Sequence, residues 1–509
     1  MTHSELATAV RDVLAVDTEA YATEAAADAD FVLSELDAGT FDNHQSILGL
    51  EYEFYGVSED RWQTGRENDF ALARVPRRLL ELIGFEKELG LHNAEMTASP
   101  QPFNSYGLEA IEAEVRSRLE AALDCSRAEG LRLVSDGLWT IPPTGETARG
   151  YLSDSVDDDG VRIATNMTDA VRYHAMANSG SGQFRVDAPG VDLEARTVMP
   201  ESLITSIQPH YQVQQAMDLP RYFTYAVRLA GPLLALGVNA PFFPSDLYED
   251  DLDPEWLLDN AWQENRIAVF ESVLNSATET DKVRFPQDLD SIEAAVDRVV
   301  GDETMVPMPV DREGDFDDNF ATLRRKHGTY WRWVRPVFDG PTRSQANARI
   351  EFRPLPAQPT VRDSMALTVA FAGAMEGLTR TEHPVADLPW EAARDNFYAA
   401  MRDGLEAEIT WLTADGAETT DLDLALTDLL EHAAEGLRAV GLDREGVDRY
   451  LQPLQWRIEN GTTPASWKRQ QVRQRLDDGD SLAAAIQATQ RSYIRKQADT
   501  LIGGEFSDW

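Results

Sequence analysis

Cysteine is almost missing from this sequence: Cys125 stands alone among 509 residues. One thiol excludes an intrachain disulfide framework and every paired-cysteine metal or redox motif. It falls in a helical-looking run from Leu108 to Ala128, where a packed core thiol is expected. Lysine is nearly as rare. Of 46 basic residues only Lys87, Lys282, Lys326, Lys468 and Lys496 are lysine, and 88 acidic residues oppose them for a formal net charge of −42. Such a surface makes nucleic acid and anionic membrane poor partners. Self-repulsion on this scale strains a compact chain in dilute buffer, and molar salt screens it within about 3 Å. A salt-rich cytoplasm, of the kind halophilic archaea maintain, is the expected setting. No membrane-length apolar run occurs either. Tyr222 to Phe243 comes nearest, but Arg228, Gly231, Pro232 and Asn239 interrupt it, and it reads as a buried helix leading into a loop. The first twenty residues have no basic region followed by an apolar one, so no signal peptide is visible and a cytoplasmic protein is expected.

Several catalytic signatures are absent as well. There is no GxxxxGKS or GxxxxGKT, which excludes a P-loop. The glycines at Ser179 to Gly182 lack the third Rossmann position and read as a turn. No HExxH occurs, none of the eight histidines pairs with another at metal-ligand spacing, and there is no GxSxG elbow.

What is present is a globular composition, 43% apolar with 11 Trp, 19 Phe and 14 Tyr. Residues 1–45 read as an acidic helical extension. Residues 46–390 interleave alternating and helical segments in an α+β pattern, with an acidic, proline-containing stretch from Asp281 to Asp318 that reads as a surface insertion. Residues 391–509 read as helical, broken near Thr413 to Asp421 and Gly461 to Pro464.

Three segments carry the chemistry. Read as strands, whose side chains alternate between faces, each has one apolar and one functional side. In Leu48 to Tyr55, Leu48, Leu50, Tyr52 and Phe54 oppose Gly49, Glu51, Glu53 and Tyr55. In Ile207 to Gln214, Ile207, Tyr211 and Val213 oppose Gln208, His210, Gln212 and Gln214. In Ala348 to Arg353, Ala348, Ile350 and Phe352 oppose Arg349, Glu351 and Arg353. A fourth segment, Leu91 to Phe103, adds Glu95. Any one such strand is commonly a half-buried strand showing water its polar side. Same-face carboxylates such as Glu51 and Glu53 sit about 6–7 Å apart and repel by about 2.5 kcal/mol at an effective dielectric near 20. In a cavity that repulsion raises a pKa or recruits a cation, and Mg²⁺ favours oxygen ligands of this kind. Four such segments together point to one metal- and anion-binding cavity on a sheet face.

The order GLEYEF, NAEMTASPQPF, SIQPHYQV, PLLALGVNAPFF and ARIEFRPLPAQPTVRD resembles the glutamate–cysteine ligase family, including its plant and type-2 bacterial branches. Ala240 stands where the family's loop usually has Ser, and Gly461 to Arg475 resembles a late small-residue and basic stretch. The resemblance spans residues 46 to 480. It implies a curved, mostly antiparallel sheet forming a funnel with helices outside, related to glutamine synthetase. It also implies ATP and Mg²⁺, with a γ-glutamyl amide made through an acyl phosphate from glutamate and an amine such as cysteine. Carried over by position, Glu51, Glu53 and Glu351 would be metal ligands, and Glu95 a further ligand or a neighbour of the acceptor amine. His210 or Gln212 would face nucleotide and metal. Arg353 would stabilise the transferring phosphoryl group, Asn239 would shape the substrate pocket, and Arg266 would contact a substrate carboxylate. Lys468, with Arg469 and Arg473, would touch phosphate or form a surface ion-pair face. The cluster His327 to Trp333 would stack adenine or pack as core. Arg343 and Arg349 would bind carboxylates or balance acidic neighbours, and His174 reads as structural. The alternatives are the same chemistry on another acid or amine, a metal-dependent hydrolase, and a non-catalytic binding relative. The sequence leaves the oligomeric state open.

Overall fold

The computed structural model describes residues 1–59, 70–276, 278 and 280–509. Its centre is a seven-stranded antiparallel sheet. The strands are β1 (Ile47–Ser58), β2 (Phe85–Lys87), β3 (Asn93–Pro102), β4 (Leu131–Val134), β5 (Ile207–Gln212), β6 (Val334–Asp339) and β7 (Asn347–Phe352). They lie in the order β6-β7-β5-β1-β3-β2, with β4 paired to the far end of β1. The three segments expected to alternate are therefore strands, and Glu95 of the fourth lies on β3. Strand β1 buries Leu48, Leu50, Tyr52 and Phe54, β5 buries Ile207 and Tyr211, and β7 buries Ala348, Ile350 and Phe352. Each large apolar side chain removed from water in this way contributes about 1.5–3 kcal/mol.

The apolar face is covered by the helix Val361–Thr381. It starts where the Thr360 hydroxyl accepts from the Asp363 N–H, an N-cap, and ends at Glu382 in the left-handed region. Phe371 stacks on Phe352 with centroids 4.3 Å apart, Ser364 donates to the Tyr52 hydroxyl at 2.9 Å, and Tyr211 donates to Glu376 at 3.0 Å. Behind it, the helix Leu422–Ala439 approaches so closely that a Cβ on Gly377 would collide with the His432 carbonyl oxygen, and one on Gly436 with that of Gly373. The buried helix foreseen from Tyr222 runs from Leu219 to Gly237, continuing through Pro232, and leads into the loop as expected.

Three stretches differ from their sequence reading. The Asp281–Asp318 stretch is not simply a surface insertion: its helix Ile292–Val300 buries Ile292, Val296 and Val299, a 3.6-residue spacing masked by the surrounding acids. The N-terminal helices His3–Leu14 and Thr18–Asp37 are tied to the rest of the chain. Asp28 accepts from the Thr322 and Leu323 N–H groups at 2.7 and 3.2 Å, capping the short helix Ala321–His327 from outside. Cys125 lies on the expected helix (Ser105–Ala128) but is only partly buried. Among the described residues no helix is long and apolar enough to cross a membrane.

Candidate active site

Strand register decides which side chains meet. Glu53 on β1 lies opposite Glu95 on β3, which lies opposite Glu86 on β2. On the other side Glu51 faces Gln208, His210 faces Glu351, and Glu351 faces Arg335 on β6. Because all pairs are antiparallel and side chains alternate, these groups share the sheet face away from the helix Val361–Thr381.

Two carboxylate groups result. In the first, one ligand atom from each of Glu51, His210 and Glu351 lies within 4.8 Å of the others. Glu351 is held between two guanidiniums, Arg335 Nε at 2.9 Å on one oxygen and Arg353 Nη1 on the other. Burial pushes its carboxyl up, but Arg335, Arg353 and His210 outweigh that and hold it well below the usual range. Burial likewise opposes ionisation of Glu51, and the His210 ring, more than offsetting it, lowers its pKa. His210 Nδ1 accepts from Arg349 Nε at 3.2 Å, so the neutral ring carries its proton on Nε2. That nitrogen is buried without an aligned hydrogen bond, 3.2 Å from Glu51 Oε1. A cation taken by Nε2 would displace the proton and turn Arg349 away.

In the second group, burial and then Glu88 push Glu53 up to about 7, and burial with Glu51, Glu88 and Glu53 pushes Glu95 well above the carboxylate range. Glu201 is raised to about 8 by burial and then by Glu88 and Glu53. Burial and mutual repulsion make these acids costly to ionise together, a cost that a cation among them would relieve, but of the two groups the first alone brings its ligand atoms within 4.8 Å of one another. Glu53 is oriented by the Ser206 N–H at 2.7 Å and by Gln208 Nε2 at 2.9 Å, while Gln208 Oε1 accepts from Arg353 at 2.6 Å. Gln208 thereby bridges the second group to the arginine of the first. Tyr173 donates to Glu88 at 3.0 Å.

A cavity of about 390 Å³ opens from Glu51, His210 and Glu351, and Arg324, Arg349 and Val296 also line it. Gln212, opposite Arg349 on β7, is buried with its Nε2 unpartnered. Arg266 does not line this cavity but is buried beside Arg353. Its Nη2 donates to the Arg353 carbonyl at 2.8 Å, its guanidinium lies 5.2 Å over the Trp333 ring, and burial draws its pKa down to about 10 against Glu264 and Glu53.

Two residues expected to contact phosphate or substrate have their side chains engaged within the protein. Lys468 does not project among the carboxylates of either group. Its ammonium is buried against Asp136, the Asn239 carbonyl at 2.6 Å and the Tyr493 ring at 4.4 Å. In an acidic chain a lone lysine looks free, and nothing local in the sequence indicates an aspartate 332 residues away. Asn239 uses its carboxamide to join Ala357 O at 2.8 Å and the Tyr493 hydroxyl at 3.0 Å, leaving only Oδ1 without a partner. Arg469 donates to the Ala261 carbonyl and Arg473 pairs with Glu255 and Asp259, so the basic stretch is divided rather than a phosphate patch. Trp331 and Trp333 both pack edge-on to Phe270, an aromatic core, and His174 is buried on the Thr168 carbonyl. Arg343 pairs with Glu35 of the N-terminal helix.

Sequence reasoning missed Glu88, Glu201 and Arg335. Glu88 follows the end of the short β2, and Glu201 sits in a 3-10 turn (Met199–Leu203), where no periodicity marks a functional face. Arg335 had a signal, since it alternates with Val334 on a strand facing Glu351. The structure also gathers His383, Asp428 and His432, which the sequence spacing had kept apart. There His383 Nδ1 accepts from the Val385 N–H at 3.1 Å, placing the ring proton on Nε2, 3.1 Å from Asp428.

Fold and site define an α+β protein whose antiparallel sheet carries a carboxylate- and arginine-lined cavity. The chain belongs to glutamate–cysteine ligase family 2, whose model matches residues 47–497. Its fold is similar to that of a glutamate–cysteine ligase from Francisella tularensis solved in complex with AMP, at 12% identity and TM-score 0.50, covering 91% of each chain. It is also similar to a bifunctional glutathione synthetase from Pasteurella multocida, at 12% identity and TM-score 0.51, covering 92% of this chain and 55% of the longer one. No curated protein sequence gives a significant match.

Proposed function

We propose that the protein is an ATP- and Mg²⁺-dependent carboxylate–amine ligase that joins glutamate to an amine, with cysteine as the acceptor. The carrying observation is the pair of carboxylate groups on one sheet face, Glu51–His210–Glu351 and Glu53–Glu88–Glu95–Glu201, bridged by Gln208 and Arg353. Family membership and the AMP bound by the Francisella relative support a nucleotide in the cavity beside the first group.

The residues divide the work. Glu51, His210 and Glu351 would hold one cation, and Glu53, Glu88 and Glu95 another. Bound Mg²⁺ supplies charge neutralisation between the phosphates and the glutamate carboxylate. Arg353, held by Glu351 and Gln208, would stabilise the negative charge that grows as the terminal phosphoryl moves from ATP to the γ-carboxylate, giving ADP and an acyl phosphate. The amine then attacks the carbonyl carbon, phosphate leaves with the C–O bond pair, and the amine loses a proton as the amide forms. Arg266 supports the carbonyls of Arg353 and Pro354 and presents positive charge beside Glu53 for a substrate carboxylate. The acyl phosphate would have to be kept from water while the amine arrives.

The test is ADP and phosphate release in molar KCl with Mg²⁺, ATP, glutamate and a panel of amines. Release that requires both glutamate and cysteine is the expected result. Release with another pair names a different substrate. A folded protein that releases no ADP with any pair sinks the ligase reading.

A further inference from the structure

On the outside of the segment Tyr330–Trp333, away from the carboxylate groups, lies a cavity of about 780 Å³. Its walls carry three arginines, Arg284, Arg298 and Arg332, against two acids, Asp302 and Glu303, beside Phe285, Tyr330 and Trp390. That balance runs against the rest of the molecule. Two of the chain's five lysines, Lys282 and Lys326, stand behind the three arginines, Lys282 paired with Asp302 and Lys326 donating to Thr304 at 3.2 Å. Arg332 is also committed to Asp302, at 3.0 Å, and lies 4.3 Å over the Tyr330 ring. Asp302 thus serves two buried cations at once.

Arg284 and Arg298 have no such partner. Arg284 donates to the Asp281 carbonyl at 3.1 Å, and Arg298 to the carbonyls of Gln287, at 2.7 Å, and Asp288. No carboxylate of the described residues lies within ion-pairing distance of either guanidinium. In a protein carrying −42, two arginines without an ion pair beside a third are unusual, and on Arg284 burial together with Arg332 outweighs the support that Asp302 and Asp281 give its charge. Guanidinium groups that line one cavity offer donors that match phosphate oxygens. Phe285 and Trp390, with centroids 6.5 Å apart, add an aromatic wall beside them.

We propose that this cavity is a second anion site, separate from the carboxylate-lined centre, that takes a small phosphorylated ligand carrying an aromatic ring, the chemistry of a nucleotide. Arg284 and Arg298 hold the phosphates and Trp390 meets the ring. In molar salt long-range attraction is screened, so these direct contacts carry the recognition. The site does not depend on the ligase reading, because it needs no metal.

That independence gives the experiment. Calorimetric titration of the full chain with ADP, pyrophosphate or inorganic phosphate is run in EDTA and KCl, where cation-dependent binding at the carboxylate groups is removed. One ADP per chain is expected, bound more tightly than pyrophosphate. Arg284→Ser should weaken ADP by at least about tenfold. Trp390→Leu should weaken ADP while sparing pyrophosphate. Circular dichroism and Mg²⁺-ATP turnover of the Arg284→Ser protein, both expected to match the parent, show that it is folded. Absence of ADP binding in EDTA overturns the site, as does equal binding by parent and Arg284→Ser. Equal affinity for ADP and pyrophosphate overturns the ring assignment and with it the ligand class.

Discussion

Glu51 and Glu351 differ in what each can lose. Glu351 neutralises two guanidiniums, whereas Glu51 is a quarter exposed and, among the described residues, forms an ion pair with His210 alone, 3.2 Å away. Glu51→Gln should therefore cut the ligase rate by at least about 10²-fold while changing unfolding free energy by under about 1 kcal/mol. Activity and urea denaturation on the same sample check this; a large stability loss would make the role structural. Glu271 behaves differently again. It is buried where Trp333 Nε1 and the Tyr398 hydroxyl donate to it at 2.7 and 2.8 Å, and burial raises its pKa from 4.5 to about 7. A raised folded pKa means that the native state keeps its proton to higher pH than the unfolded chain. The stability it contributes is complete below 4.5 and is lost as pH rises through about 7, by up to about 3 kcal/mol. Glu271→Gln keeps an oxygen for both donors, so its stability should vary less between pH 5 and 8 than the parent's, as denaturation across that range would show. At this scale the sequence was legible wherever a strand imposed period-two alternation, as for Glu51, Glu53, His210, Glu351 and Arg353. It was silent where a turn or a strand end placed the group, as for Glu201 and Glu88, and misleading for Lys468, whose partner is remote in the chain.

Elements meet through a few contacts that admit no substitute. The helices Val361–Thr381 and Leu422–Ala439 touch backbone to backbone at Gly373, Gly377 and Gly436. Gly436→Ala forces them apart and should cost about 1–3 kcal/mol or more in urea unfolding, although alanine is the better helix former. If propensity dominated, the variant would be more stable instead. The C-terminal helices are locked to the sheet by another device. Lys468, on the helix Pro464–Asp477, meets Asp136, whose other oxygen accepts from Gln490 at 2.9 Å on the next helix and, at 3.4 Å, from Tyr55 on β1. Lys468→Met leaves that aspartate buried without its cation and should cost about 3–5 kcal/mol, with Asp136→Asn in the same chain restoring part of it. The KM for ATP should not move. A large rise in that KM with little loss of stability would return Lys468 to the nucleotide. The helical C-terminal region was readable from periodicity, but helix packing through glycine carbonyls was not, because glycine inside a helix ordinarily signals weakness.

For the whole molecule, −42 charges must coexist in one compact unit. The structure neutralises part of this locally. Arg343–Glu35, Arg312–Asp28 and Arg324–Asp317 tie the acidic N-terminal helix and the Asp281–Asp318 stretch to the body, and that stretch in turn lines the cavity of the first carboxylate group. These bridges are mostly half exposed on the arginine side, so each contributes little, about 0–1 kcal/mol. The remaining repulsion is spread over the surface and is larger than any one pair. Raising KCl screens both, but like-charge repulsion summed over so many acids should lose more than the few bridges do. The urea midpoint should therefore climb steadily from about 0.2 M to about 2 M KCl. Urea is required, because guanidinium is itself a salt and would screen the charges it is meant to report. A midpoint that stays flat or falls with KCl would mean that the acidic surface is balanced by its own arginines, and the high-salt setting read from composition would lose its physical basis.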